Sequence, residues 1–298
     1  MSHINSEASG FGGSVVVSII DCVNNGDVTG RYIVGGIVGR TEGDTSGSVI
    51  DGCVNHSIIN AEAYVGCIAG HTSTYVIKNS DNENSQLNAS GYYLENGSKY
   101  AYVGGLVGRG PCVENCTNYV DINYTGGGDF TGGVMEYFEL GAAITGSGIT
   151  SSEASASFKK LKNLGNISGN SYVGGIAGGV MYFWDNGCKP CTVTFEKFEN
   201  ASAIVGKGNY VGGIVGYACG DVGGISGSLD WSIYDCINSA DISGKANVAG
   251  LFGGFKNGEA KGSAYKDNIV SIVDCVSTGK VKANYKYGDI IGLNEIVK

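Results

Sequence analysis

A Gly-rich block of the form Tyr-Val-Gly-Gly-Ile/Leu-Val/Ala-Gly recurs along the whole 298-residue chain, and no other feature narrows its fold as much. Its eight copies are Val34 to Gly39, Val65 to Gly70, Val103 to Gly108, Thr131 to Glu136, Val173 to Gly178, Val211 to Gly216, Val248 to Gly253 and Tyr287 to Gly292. Upstream of each lies a second pattern, apolar-x-x-Cys-x-Asn-x-small-x-apolar, as in Ile19-Ile20-Asp21-Cys22-Val23-Asn24-Asn25-Gly26-Asp27-Val28. A period of this length marks a solenoid, a propeller or an array.

Aligned on the Cys position, the repeats place Cys22, Cys53, Ser80, Cys116, Leu161, Phe198, Cys236 and Cys275 in one column, at spacings of 31, 27, 36, 45, 37, 38 and 39 residues. Three further columns are aliphatic or aromatic throughout. The first is Ile19, Ile50, Ile77, Val113, Phe158, Phe195, Ile233 and Ile272; the second runs from Val28 and Ile59 to Val281, with the third repeat slipping by one residue to Leu87. The Gly block supplies Ile37, Ile68, Leu106, Val134, Ile176, Ile214, Leu251 and Ile290. Three short apolar segments per unit, separated by Gly, Asn and Asp, predict three strands joined by turns. No unit can bury its side chains alone, so successive units must stack in parallel. The expected fold is all-β: a parallel β-helix or β-solenoid of about eight coils, roughly 40 Å long from the strand spacing. A propeller is disfavoured because the 27-residue unit is short for a four-stranded blade. A single repeat domain over 1–298 is expected, as a segment of a longer surface protein or as a subunit that stacks head to tail.

With those residues in view, the kernel Gly-Ile/Leu-x-Gly, as in Gly36-Ile37-Val38-Gly39, Gly105-Leu106-Val107-Gly108, Gly175-Ile176-Ala177-Gly178 and Gly213-Ile214-Val215-Gly216, resembles the GLUG repeats of bacterial surface proteins. Such repeats occur in large adhesin-like proteins and in the non-catalytic regions of IgA-cleaving peptidases. The resemblance implies an extracellular or cell-surface location and a scaffold role, and it names no ligand. The fourth copy departs from the kernel at Gly133-Val134-Met135-Glu136, and the last carries Asp289 for the second Gly.

Composition removes other classes. There are 52 Gly and 2 Pro without a Gly-X-Y period, which excludes collagen, and 42% apolar residues argue for a folded chain. No apolar run reaches the roughly 18 residues of a membrane-spanning helix, so no membrane insertion is expected. A net charge of -9 with 19 Lys+Arg and no basic run longer than Lys159-Lys160 shows no basic stripe, so nucleic acid is not an expected partner.

Hydrocarbons at Leu161 and Phe198 in the Cys column read Cys22, Cys53, Cys116, Cys236 and Cys275 as packed, inward thiols. Cys67, Cys112, Cys188, Cys191 and Cys219 fall in or after the Gly block, and Cys188-Lys189-Pro190-Cys191 reads as a loop disulfide or free thiols, since no second CxxC or nearby His completes a zinc site. Asn24, Asn55, Asn82, Asn118, Asn163, Asn200 and Asn238 read as a polar ladder at one corner of the coil. Tyr64, Tyr102, Phe130, Tyr172 and Tyr210 form an aromatic column, expected to point outward unless a bulge intervenes.

Insertions fall mostly after the Gly block, at Glu136 to Ser157, Gly179 to Thr194, Cys219 to Ser232 and Gly254 to Val270, and should emerge from one edge of the rod. Their aromatics Tyr182, Phe183, Trp184 and Trp231, near Asp185, Asp221 and Asp230, are candidate ligand-binding residues, with Tyr92 and Tyr93 of a separate insertion, Asn88 to Ala101. The candidate partners are a host glycan or extracellular protein, and a second copy of the chain. His3, His56 and His71 form neither a His-Glu-x-x-His motif nor a Ser-His-Asp set, and Gly-Gly-x-Gly-x-Asp calcium loops are missing. No catalytic residue, metal or cofactor is therefore expected. The alternative is a β-helical polysaccharide lyase or glycosidase whose carboxylates meet through loops.

Overall fold

A computed structural model describes residues 3–5, 16–42, 48–72, 75–110, 112–139, 154–181, 191–219, 229–257, 270–292 and 294–296. The chain is a parallel β-solenoid in which each repeat makes one coil and three faces run the length of the stack. The first face stacks strands such as Val49–Asp51, Val76–Lys78, Cys112–Asn118 and Ala154–Asn163. The second is made by two segments per coil, as in Ile58–Ala61 and Ala63–Gly66. The third carries Val38–Glu42, Ala69–Thr72, Val107–Gly110 and their successors. The expectation of three strands per coil is thus refined to three faces, with the first and second faces each interrupted.

The apolar columns coincide with the register. Ile19 pairs with Ile50 and Ile50 with Ile77, while Phe158, Phe195, Ile233 and Ile272 stack in the later coils. Leu87 lies level with both Ile59 and Ile122, so the extra residue of the third repeat is absorbed in the turn before it, where Asn84 has a φ of 55°.

The coil bends at two columns of left-handed backbone. The residues before the Cys column (Asp21, Gly52, Asn79, Asn115, Lys160, Lys197, Asp235 and Asp274) all have φ between 49° and 63°. Asp, Asn and Gly tolerate this conformation, and their abundance there has that cause. The second column is Ile33 and the aromatic residues Tyr64, Tyr102, Phe130, Tyr172 and Tyr210, followed by Asn247 and Lys286, with φ of 44° to 72°. For bulky residues this is costly, about 1–2 kcal/mol each. The bulge breaks strand alternation, and the rings leave the coil interior to form a cluster of their own with Tyr32, Tyr100 and Ala63.

Inside the coil the core is split in two. One apolar lobe lies between the first and third faces and includes Ile50, Ile77, Leu106, Phe158 and Trp231; the other lines the second face with Val65, Leu87, Val103 and Ile122. Between them runs the Asn column, buried within the coil rather than set at an outer corner. Asn118 Nδ2 donates to Asn163 Oδ1 (2.7 Å), Asn163 to Asn200 (2.8 Å), Asn200 to Asn238 (2.7 Å), and Asn238 to the Ser277 hydroxyl (3.2 Å). The same amides reach the carbonyl two residues on, as from Asn163 to Gly165 (2.8 Å). The opposite wall must come close: a Cβ at Gly133, Gly175 or Gly213 would lie within 2.6 Å of the amide carbon of Asn163, Asn200 or Asn238. The first Gly of the kernel is therefore the counterpart of the Asn of the next coil.

Candidate functional site

In a repeat scaffold, places where the repeat is broken carry the information, and several breaks converge on the third to fifth coils. The insertion after Leu87 folds into a hairpin in which Tyr93 pairs with Tyr100, Leu94 with Lys99 and Glu95 with Ser98, the one antiparallel pairing among the described strands. Asn96 (φ 49°) and Gly97 (φ 80°) make its turn, as a two-residue hairpin loop requires. Tyr124 ties the insertion down from the following coil: its hydroxyl donates to Gly91 O (2.5 Å) and accepts from Gly128 N (2.8 Å).

The hairpin overhangs the aromatic column and encloses a groove of about 590 Å³. Glu95, Asn96, Ser98, Lys99 and Tyr100 form one wall; Tyr102, Arg109, Asp129, Phe130 and Tyr172 form the rest. Phe130 and Tyr172 stack at 4.4 Å, Tyr172 and Tyr210 at 5.0 Å, and Tyr100 on Tyr102 at 5.0 Å, with ring planes 12° to 13° apart. Near-parallel rings cover each other's faces, so the column meets the groove with ring edges and hydroxyls. The Arg109 guanidinium lies 5.8 Å from the Tyr102 ring centre, and Lys99 lies 4.4 Å from that of Tyr92.

The polar groups are held unequally. Asp129 accepts hydrogen bonds from Asn170 Nδ2 (2.8 Å) and Ser171 N (3.2 Å), yet burial pushes its carboxyl above the usual range against those bonds. Burial also raises the Tyr102 hydroxyl, helped by the charge of Glu136, and lifts Tyr172 to about 12. Glu136 takes the place of the kernel's last Gly. It is fully buried, both carboxylate oxygens lack a hydrogen-bond partner among the described residues, and desolvation raises it well above a normal carboxylate against the pull of Arg109. His71, paired in register with Arg40 and Arg109, is driven down to about 3 by desolvation and then by those two cations.

The candidates read from the sequence fall differently. Trp231 is not a loop residue: it lies in the strand Leu229–Tyr234, fully buried, 5.8 Å from Phe195 and 5.1 Å from Phe255. The first-face strands lengthen in these coils and draw its ring into the core. Tyr182, Phe183, Trp184, Asp185, Asp221 and Cys188 lie outside the described residues. Tyr93 is half-exposed and packs edge-on to Tyr32 (5.7 Å) and Tyr64 (5.4 Å), and Tyr92 lies under Lys99, so both buttress the hairpin. In the Cys column, Cys53, Cys116 and Cys236 are buried, while Cys22 and Cys275 of the end coils are open to solvent in part or whole. Glu95, Lys99, Arg109 and Asp129 were missed; the Asn96-Gly97 turn between tyrosines was the available signal.

No family model, no curated protein and no solved structure matches this chain.

Proposed function

We propose that the chain is an extracellular, adhesin-like repeat module that holds a hydroxyl-rich ligand, a host or matrix glycan, in the groove under the hairpin. The observation that carries this reading is the convergence of the inserted hairpin, Arg109 and Asp129 on one groove of an otherwise regular stack. Carboxylates, an ammonium, a guanidinium and tyrosine hydroxyls together suit sugar hydroxyls, which both donate and accept. The resemblance to GLUG repeats supports the cell-surface setting.

A glycan and extracellular-matrix array, run with the wild type and with a Glu95→Gln, Asp129→Asn double variant, tests the proposal. Binding by the wild type that the double variant loses is expected; equal binding by both removes the groove from the account. A second reading, a glycoside-cleaving enzyme, draws on Glu95 and Asp129 lining one groove. Release of new reducing ends from a bound glycan, lost in Asp129→Asn, would favour it over simple binding.

A further inference from the structure

The 19 Lys and Arg form no run in sequence longer than the Lys159-Lys160 pair, but the fold does not leave them scattered. Lys207, Lys245 and Lys282 belong to three successive coils, and together with Ser243 and Asn284 they line a second groove, of about 370 Å³, on the second face. The strand register explains the gathering. Val205 pairs with Ser243 and Ser243 with Lys282, while Lys245 N bonds Gly208 O (2.9 Å) just past Lys207. Residues 38 or 39 apart in sequence thus stand about one strand spacing apart, near 4.8 Å, and Lys282, level with Ser243, lies two residues along from the level of Lys245.

The charge around this groove is one-sided. The second-face strands of the last three coils, Ile204–Gly206, Asn209–Gly212, Ile242–Ala249 and Val281–Gly288, contain Lys245, Lys282 and Lys286 and no Asp or Glu. Lys280 flanks them, and Asp241, which immediately precedes the strand Ile242–Ala249, accepts the Lys280 backbone N–H (2.8 Å). Like charges placed side by side repel, and a chain of net charge -9 has acids enough to separate them. Ammonium groups gathered with no carboxylate among the groove's described lining residues attract anions.

We propose that this groove binds an anionic polysaccharide, its sulfate or carboxylate groups facing Lys207, Lys245 and Lys282 and its hydroxyls meeting Ser243 and Asn284. The lining carries no aromatic ring on which a base could stack, which favours a glycan over a single-stranded nucleic acid. The site shares no residue with the groove under the hairpin, so either can fail without the other.

Calorimetry of the whole chain with a sulfated oligosaccharide, its desulfated counterpart, an oligouronate and an oligothymidylate of matched charge, at low and at physiological salt, tests the proposal. The variants are Lys207→Gln, Lys245→Gln, Lys282→Gln combined, and Lys162→Gln on the first face, outside both grooves, as control. The expected result is binding of the sulfated or uronate probe that weakens with salt, falls at least about tenfold in the triple variant and is unchanged in the control. The three lysines are exposed, so the triple variant should melt like the wild type, and circular dichroism checks this. No binding of either anionic glycan, equal binding of the desulfated probe, or an unchanged triple variant overturns the proposal. Tighter binding of the oligothymidylate overturns the ligand class.

Discussion

The Cys67 thiol lies between Asn55 and Asn82, and at that level the amide ladder is interrupted. Asn55 Nδ2 keeps the carbonyl of Ser57 (3.1 Å) but not the next coil, and Asn82, which still donates to Asn118 Oδ1 (2.7 Å), has its own Oδ1 taken by Tyr119 N (2.8 Å). Cys67 occupies the kernel position held by Gly105, Gly133, Gly175 and Gly213 elsewhere. The extra residue before Leu87 belongs to the same event: it widens the facing turn, and Ser85 Oγ reaches the thiol at 3.7 Å.

Replacing Cys67 with Gly should therefore be mild, about 1 kcal/mol, because only a small buried group is lost. The reverse change in a regular coil, Gly175→Cys, should be far worse, about 3 kcal/mol or more, because the new side chain meets Asn200 and the Gly213 carbonyl with no widened turn to receive it. Urea unfolding of the two variants checks the contrast, and comparable losses would break the proposed link between Cys67 and the slipped repeat.

The ladder itself should be a major source of stability in the middle of the stack. Asn163→Ala takes one partner each from the buried Asn118 amide, which keeps Val120 O, and the buried Asn200 carbonyl oxygen, which keeps only Ser202 N at 3.4 Å, at a cost of roughly 2–3 kcal/mol. Asn24→Ala, at the partly exposed first coil, should cost under about 1 kcal/mol. Melting temperatures of the two variants provide the comparison.

Two buried groups should bend the pH profile in opposite senses. The carboxyl of Glu136 is raised in the fold, so above the usual carboxylate range the folded state holds a proton that the unfolded state has lost, and stability falls as pH rises toward the raised value. Glu136→Gln should be more stable than wild type at neutral pH, with a flatter profile above pH ~5. His71 is lowered to about 3, so the unfolded state binds the extra proton and stability falls as pH drops from about 6.5 toward 3. His71→Gln should reduce that acid loss. Denaturation at several pH values separates the two effects.

The paired cysteines sit at the ends of the stack. Cys22 and Cys53 precede the paired Val23 and Val54, and Cys236 and Cys275 precede the paired Ile237 and Val276, at a strand spacing inside the Cα range of a disulfide. Contact with the Cys236 thiol brings Cys275 down to about 7, which makes it the attacking thiolate. Oxidised glutathione should close both pairs, each losing two hydrogens as one glutathione disulfide becomes two thiols. Cys67 and Cys116 should stay reduced, because burial raises them to about 11 and about 12. Mass spectrometry counts the bonds, and each should raise stability by about 2–4 kcal/mol.

The fold was legible because its constraints repeat: Ile19, Ile50 and Ile77 keep their places whatever is inserted between them. The left-handed column of Asp21, Gly52, Asn79 and Asn115 could be recognised by composition, but Lys160 and Lys197 share its backbone without sharing its chemistry. The aromatic column hid its bulge, since bulky side chains are the last expected at positive φ. Trp231 resembled a loop residue because a lengthened strand cannot be told from an insertion by spacing alone. The lysine groove was not readable at all, for its members are far apart until the register of the coils is known.

All backbone ladders between coils are oriented along the stack, with the strands lying across it. Tension applied at the two ends of the chain would thus load the hydrogen bonds of the outermost coil first and those of the interior hardly at all. Such an object yields by peeling, one coil after another, instead of shearing in a single rupture. Each coil of 27 to 45 residues would release a length on the order of 100 Å as it lets go. A chain built this way would lengthen in steps under load while the coils still stacked kept their grooves intact.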